Sequence, residues 1–143
     1  MNVAFFLTLR KDVTCINVNS TVRQALETMK KHGYTAVPVI TDGNEYVGTV
    51  SEGDFLWNIV RMRRGESAPR EVDIRDLESI RITDILRPDR NPSVPVTAPI
   101  EELLTRAMNQ NFIPVTDDRG SLIGIVTRKT IIKYCTENGV PVK

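Results

Sequence analysis

The chain has 143 residues, enough for one compact unit of two halves but hardly for two large independent domains. Its hydrophobic fraction of 41% and charged fraction of 26% are ordinary, and a formal net charge of +1 gives no overall electrostatic reason to expect nucleic acid binding. No apolar run approaches the length of a membrane-spanning helix, and the cysteines, Cys15 and Cys135, lack the spacing of a disulfide framework or a zinc site.

Residues 3–7 form a short apolar run at the start of the chain, which predicts a buried strand. The basic residues Arg10 and Lys11 follow this run rather than precede it, and no small-residue cleavage pattern comes after it. These features argue against a signal peptide. We therefore expect a cytoplasmic protein that neither crosses nor binds a membrane.

The first half of the chain predicts the element order strand, helix, strand, strand, helix. A capping box at Thr21 begins the first helix, an apolar stripe at helical spacing continues it, and Gly33 ends it. Turn residues separate the next two strands, and Ser51 opens the second helix. The predicted strands are 16–18, 36–40 and 46–50.

The second half repeats this order. Pro114 and Gly124 follow Pro38 and Gly48 at one constant offset, so the two copies are in register across a strand-turn-strand stretch. The predicted elements are a strand at 94–96, a helix from Ile100, strands at 112–115 and 122–126, and a last helix from Thr127. We expect a first repeat with an N-terminal strand at 1–62, a charged linker at 63–81 and a second repeat at 82–143.

The duplicated segments resemble the cystathionine β-synthase (CBS) domain pair, or Bateman module. The resemblance rests on residues 33–39 (GYTAVPV) and 48–55 (GTVSEGDF) in the first copy, and on 112–115 (FIPV) and 124–131 (GIVTRKTI) in the second. It covers nearly the whole chain. It implies an α+β fold of two pseudo-symmetric β-α-β-β-α repeats packed through their sheets, which serves as a sensor of adenosyl ligands without catalytic machinery.

Ser51 and Thr127 occupy equivalent positions where a helix begins. Free backbone N–H groups and the positive end of the helix dipole favour phosphate or ribose oxygens at such a position. Asp54, one turn further on, is suited to accept hydrogen bonds from both hydroxyls of a ribose. The alternative is that Ser51 and Asp54 form a helix cap that needs no ligand.

The resemblance implies two unequal pockets, each shared between the copies. The first is predicted to combine Ser51 and Asp54 with Pro92, Asn111, Phe112 and Pro114. The second is predicted to combine Thr127, Arg128, Lys129 and Thr130 with Val13, Thr14, Tyr34, Thr35, Ala36 and Pro38.

The second predicted pocket departs from the family pattern because Thr130 stands where the family has a ribose-binding aspartate. Arg128 and Lys129 beside a helix start, with Tyr34 as a stacking surface, suit a ligand rich in phosphate and poor in free hydroxyls. Cyclic di-AMP has no vicinal diol, and the segments GYTAVPV and TRKTIIK are similar to stand-alone bacterial CBS-pair proteins that bind it. Alternatively, the two cations merely solvate a helix face and Tyr34 covers the core.

The sequence thus predicts a regulatory module that binds an adenine nucleotide, either cyclic di-AMP or AMP or ATP, and transmits its occupancy to an unknown partner protein. Apolar helix faces at 55–60 and 131–134 predict a homodimer. We expect no enzyme activity, required cofactor or metal site, because no catalytic group set is present and the single histidine, His32, lacks partners. The alternative is a protein–protein adaptor with vestigial pockets, which uses its Arg-rich linker for recognition.

Overall fold

The computed structural model describes residues 3–64, 77–87 and 90–138, with the side chains of 61–64 excepted. It has the predicted α+β class and divides into two compact units. The first-repeat unit consists of Thr14–Gly43 and Val47–Arg90. The second-repeat unit consists of Met1–Val13, Asn44–Tyr46 and Asn91–Lys143.

The first-repeat unit contains a three-stranded sheet with three described α-helices. The strands are β1 (Ile16–Asn17), β2 (Ala36–Ile40) and β3 (Tyr46–Ser51), in the order β1-β2-β3 with β1 parallel to β2. The helices are α1 (Val22–His32), α2 (Glu52–Arg64) and α3 (Ile82–Ile85). The predicted strands and helices of the first repeat are therefore present, with β1 one residue shorter than expected.

Local side-chain chemistry fixes both ends of α1, as the sequence predicts. Thr21 Oγ1 accepts from the backbone N–H of Gln24 at 3.2 Å, and Gln24 Oε1 accepts from the backbone N–H of Thr21 at 2.9 Å. Gly33 ends the helix with a left-handed φ of 70°. Its N–H donates to the carbonyl of Lys30, and the N–H of Tyr34 donates to that of Met29, which is a Schellman arrangement.

The core of the first-repeat unit extends beyond the predicted repeat boundary. Strand residues Val37, Val39 and Val50 are buried in this core, and Ile82 and Ile85 of α3 are buried with them. Two residues assigned from the sequence to the second repeat thus pack with the first. Residues 65–76 of the predicted linker lie outside the described residues.

The second-repeat unit contains a four-stranded sheet and two described α-helices. Its strands, in sheet order, are β4 (Thr8–Leu9), β7 (Leu122–Thr127), β6 (Phe112–Thr116) and β5 (Val94–Pro95). β5 runs parallel to β6, whereas β6 and β4 are antiparallel to β7. The helices are α4 (Ile100–Ala107) and α5 (Arg128–Asn138).

The beginning of the chain differs from the prediction of a buried strand at 3–7. Val3–Phe5 form a 3₁₀ turn, and the two buried residues are Val3 and Phe6, whose spacing of three matches such a turn and not the alternation of a strand. Phe6 packs edge-to-face against Tyr134 of α5, with ring centroids 5.1 Å apart. The strand prediction was wrong because it used apolar content without periodicity.

The N-terminal strand also pairs differently from the predicted grouping with the first repeat. β4 lies beside β7, with Leu9 opposite Gly124, so it belongs to the sheet of the second-repeat unit. A Cβ atom at Gly124 would clash with the carbonyl oxygen of Thr8, so only glycine allows this close approach. The other predicted domain boundaries stay predictions. None of the described helices has the length and apolar character needed to span a membrane.

Candidate functional site

The two helix starts singled out by the sequence have the same backbone arrangement. In the first-repeat unit, the N–H of Glu52 donates to the carbonyl of Thr35 at 3.0 Å. In the second-repeat unit, the N–H of Arg128 donates to the carbonyl of Asn111 at 3.1 Å. Each bond joins the start of a helix, α2 or α5, to the residue before the first long strand of the same unit, β2 or β6. The structure thus places Thr35 beside the Ser51 turn and Asn111 beside the Thr127 turn.

Asp54, the predicted ribose ligand, already has a partner at each carboxylate oxygen. Its Oδ2 accepts from the backbone N–H of Ser51 at 2.9 Å and from the Ser51 hydroxyl at 3.1 Å. Its Oδ1 accepts from Arg90 Nη1 at 2.8 Å, and only 4% of the Asp54 side chain is exposed. Asp54 therefore makes the side-chain contact to the Ser51 backbone N–H that the helix-cap alternative expects, and Arg90 bonds to its other oxygen.

The equivalent turn in the second-repeat unit contains hydroxyl groups in place of the carboxylate. Thr127 Oγ1 accepts from the backbone N–H of Thr130 at 3.2 Å, and the two threonine Oγ1 atoms lie 2.8 Å apart. Both side chains are partly exposed. This turn supplies uncharged hydrogen-bonding groups and adds no negative charge that would repel a phosphate.

Arg128 links the start of α5 to the end of α4. Its Nε donates to the carbonyl of Ala107, the last residue of α4, at 2.9 Å. A cation at a helix C-terminus is favourable because the last carbonyls carry partial negative charge. This bond uses the Nε–H of Arg128. The two Nη groups of the same guanidinium can therefore donate to an anion. The neighbouring Lys129 is exposed.

Tyr34 presents an aromatic surface at the end of α1, with 43% of its area exposed. The His32 ring stacks on it, with centroids 5.5 Å apart and an angle of 11° between the planes. The sequence gives no catalytic or metal-binding partner for His32 and favours a solvated residue at the helix end, so this contact with Tyr34 was not predicted. The imidazole therefore lies offset along one face of Tyr34.

The remaining predicted site residues lie in or beside the strands of their own units. Thr14, at the edge of the first-repeat unit, is half-buried, and Ala36 begins β2. The buried members are Pro38 in the first-repeat unit and Val13, Phe112 and Pro114 in the second-repeat unit. Pro92 is exposed, and its carbonyl accepts from Arg106 Nη1 at 2.9 Å. The assignment of these residues to two shared pockets stays a prediction.

Two further features bear on the predictions. Asp117 Oδ1 accepts from the backbone N–H groups of Arg119 and Ser121, both at 2.9 Å, so Asp117 forms the turn between β6 and β7 and is no catalytic carboxylate pair with Asp118. Within ranges 3–64, 77–87 and 90–138, no cluster of three or more histidine, cysteine or acidic residues could hold a metal ion.

The family of the chain follows from its sequence as well as its fold. A model of the CBS domain matches residues 7–61 and 82–137. The chain therefore belongs to the CBS domain family, as the resemblance predicted, and it carries two copies of the domain.

Among curated proteins, the chain is similar to cyclic di-AMP receptor B of Bacillus subtilis, with 26% identity over 131 residues that cover 92% of this chain and 84% of the receptor. It also matches an uncharacterized protein of Methanopyrus kandleri with 25% identity over 124 residues. This match covers 87% of the chain but only 58% of the Methanopyrus protein.

Two solved structures illustrate the fold. CbpB in complex with cyclic di-AMP superposes with a TM-score of 0.81 at 20% identity, over 96% of this chain and 85% of CbpB. CBSX2 in complex with AMP, a protein known from Arabidopsis thaliana, superposes with a TM-score of 0.74 at 25% identity, over 95% of this chain and 96% of CBSX2.

Proposed function

We propose that this chain is a regulatory adenine-nucleotide sensor whose occupancy is read by a partner protein, and that cyclic di-AMP is its favoured ligand. The observation that carries the proposal is the similarity, across 92% of the chain, to a curated cyclic di-AMP receptor. AMP and ATP are the other candidates, since CBSX2, at 25% identity, is described in complex with AMP.

The local chemistry at Arg128 supports a phosphate-rich ligand. The helix start carries two cations, Arg128 and Lys129, and the turn before it contains threonine hydroxyls where an aspartate would add negative charge. An arginine binds phosphate oxygens with two parallel hydrogen bonds, which a single ammonium cannot do. We assign the phosphate contact to Arg128 and place Lys129 as a weaker, exposed contributor.

Adenine recognition is assigned to Tyr34. The ring is partly exposed, and because His32 lies offset along one face, a base would stack on the other. Aromatic stacking adds affinity beyond the area it buries. The roles of the remaining predicted residues, and the sharing of pockets between repeats, belong to this proposal as predictions from the sequence.

The proposed mechanism is a shift between conformations of different ligand affinity. A nucleotide biases a partner only through the difference between its affinities for the two conformations. The proposal includes a homodimer in the cytoplasm. Exposed apolar residues on helices support self-association: Leu56 and Trp57 on α2, and Ile132 on α5 beside an apolar groove of about 510 Å³.

Thermal unfolding with a ligand panel tests the proposal. Cyclic di-AMP, AMP, ADP, ATP and S-adenosylmethionine are added separately at increasing concentration. A ligand that binds the native state stabilises it by about 2.7 kcal/mol at a hundred times its Kd. We expect a concentration-dependent rise in Tm with cyclic di-AMP that exceeds the rise with the mononucleotides. A flat response to the whole panel would contradict the proposed function.

The second candidate is an adaptor that binds a protein and no nucleotide. Two observations favour it. Leu56 and Trp57 are exposed, and the Asp54 carboxylate is already paired with Arg90. An adaptor would show no ligand-dependent transition in the same panel. The Arg-rich segment that this hypothesis uses has side chains outside the described residues.

A further inference from the structure

The Asp54–Arg90 ion pair is an unexpected feature of the first-repeat unit. Only 4% of the Asp54 side chain is exposed, whereas 54% of the Arg90 side chain is exposed. Asp54 also accepts two hydrogen bonds from Ser51, so both of its oxygens have partners. Ser51 thus bonds to one oxygen of the buried Asp54 carboxylate, and the partly exposed Arg90 bonds to the other.

A ribose with free 2′ and 3′ hydroxyls binds a carboxylate by donating a hydrogen bond from each hydroxyl. At Asp54, such a ligand must first displace the guanidinium from Oδ1. At the equivalent position of the second repeat, Thr130 offers a hydroxyl in place of a carboxylate. The two helix starts therefore share one property: neither presents a free carboxylate to a vicinal diol.

We propose that Arg90 determines ligand specificity by occupying Asp54, which disfavours nucleotides recognised through a vicinal diol and leaves cyclic di-AMP, which has none, unaffected. This inference rests on the proposed nucleotide-binding function. Arg90 positions no ligand group itself; it competes with the ribose for one acceptor.

The size of the effect follows from the contact that the ribose must replace. Loss of a hydrogen bond between charged groups changes an equilibrium constant roughly ten- to hundredfold. Exposure of the Arg90 side chain to solvent favours the lower part of this range. We therefore expect removal of Arg90 to increase AMP affinity about tenfold.

Calorimetric titration of AMP, 2′-deoxy-AMP and cyclic di-AMP into the wild type, Arg90→Ala and Arg90→Gln tests this inference. AMP should bind about tenfold more tightly to Arg90→Ala and gain less with Arg90→Gln, which keeps a neutral donor. 2′-Deoxy-AMP should gain less than threefold, and the affinity for cyclic di-AMP should change less than about twofold. Circular dichroism checks the fold, and Arg90→Gln carries the test if Arg90→Ala unfolds.

Two controls isolate the ion pair. Arg87→Ala removes an exposed arginine from the same stretch and should leave AMP affinity unchanged. Asp54→Ala in the Arg90→Ala background should abolish the gain. Equal AMP affinities in the wild type and both Arg90 variants, with cyclic di-AMP still bound, would refute the inference and leave the nucleotide site standing. Failure of every nucleotide to bind any variant would refute both.

Discussion

Replacement of Arg128 by alanine tests two roles that the structure combines in one side chain. In the structure, Arg128 Nε donates to the carbonyl of Ala107 at the C-terminal end of α4. In the proposed complex, the same guanidinium contacts a phosphate. The Arg128→Ala variant therefore should lose stability without ligand and lose affinity for cyclic di-AMP.

The loss of stability can be worked out from this one contact. A charge-assisted hydrogen bond contributes about 1.5–3 kcal/mol, and a cation at a helix C-terminus contributes about 0.3–1 kcal/mol. Because Arg128 is partly exposed, the lower part of this range applies. We expect Arg128→Ala to lower the free energy of unfolding by about 1–2 kcal/mol and Tm by about 2–8 °C.

Urea unfolding measures the first effect, and calorimetric titration with cyclic di-AMP measures the second. Lys129→Ala is the matched control, because it removes an adjacent exposed cation and should change the free energy of unfolding by less than about 0.5 kcal/mol. Arg128→Lys should retain part of the affinity, since it keeps the charge without the planar fork. An Arg128→Ala variant as stable as the wild type would refute the Ala107 contact, and one with unchanged affinity would refute the phosphate role.

Three other predictions concern the fold, the aromatic stack and the assembly. Gly124→Ala should lower the free energy of unfolding in urea by about 3 kcal/mol because of the clash with Thr8, whereas equal stability would contradict the close pairing of β4 and β7. His32 is the single histidine, so its imidazole proton signals are unambiguous in NMR; Tyr34→Ala should move them downfield as the ring current is lost, and fixed signals would disprove the stack. Sedimentation should give twice the chain mass of 16.1 kDa at micromolar concentration, and a strict monomer would exclude the homodimer.

Features of the fold that depend on neighbouring residues could be predicted from the sequence. The capping box at Thr21, the left-handed Gly33 and the turn at Asp117 each involve residues within a few positions of one another. The repeat supplied the second check, because a helix start assigned at Ser51 was expected again at Thr127. Both starts are present with matching backbone hydrogen bonds.

Features that join distant segments could not be predicted in this way. Asp54 and Arg90 are 36 positions apart, and no sequence periodicity marks an arginine in a charged stretch as the partner of a particular carboxylate. The pairing of β4 with β7 likewise depends on the close approach of Thr8 to Gly124, which only the three-dimensional structure reveals. The stack of His32 on Tyr34 is local, but it requires the helix-ending geometry of Gly33 between the two rings.

Calorimetric titration of the purified chain with cyclic di-AMP tests the central claim most directly. The account predicts saturable binding that weakens in the Arg128→Ala variant and is unaffected by Arg90→Ala. Absence of any binding heat at concentrations where the protein remains folded, confirmed by an unchanged Tm, would contradict it.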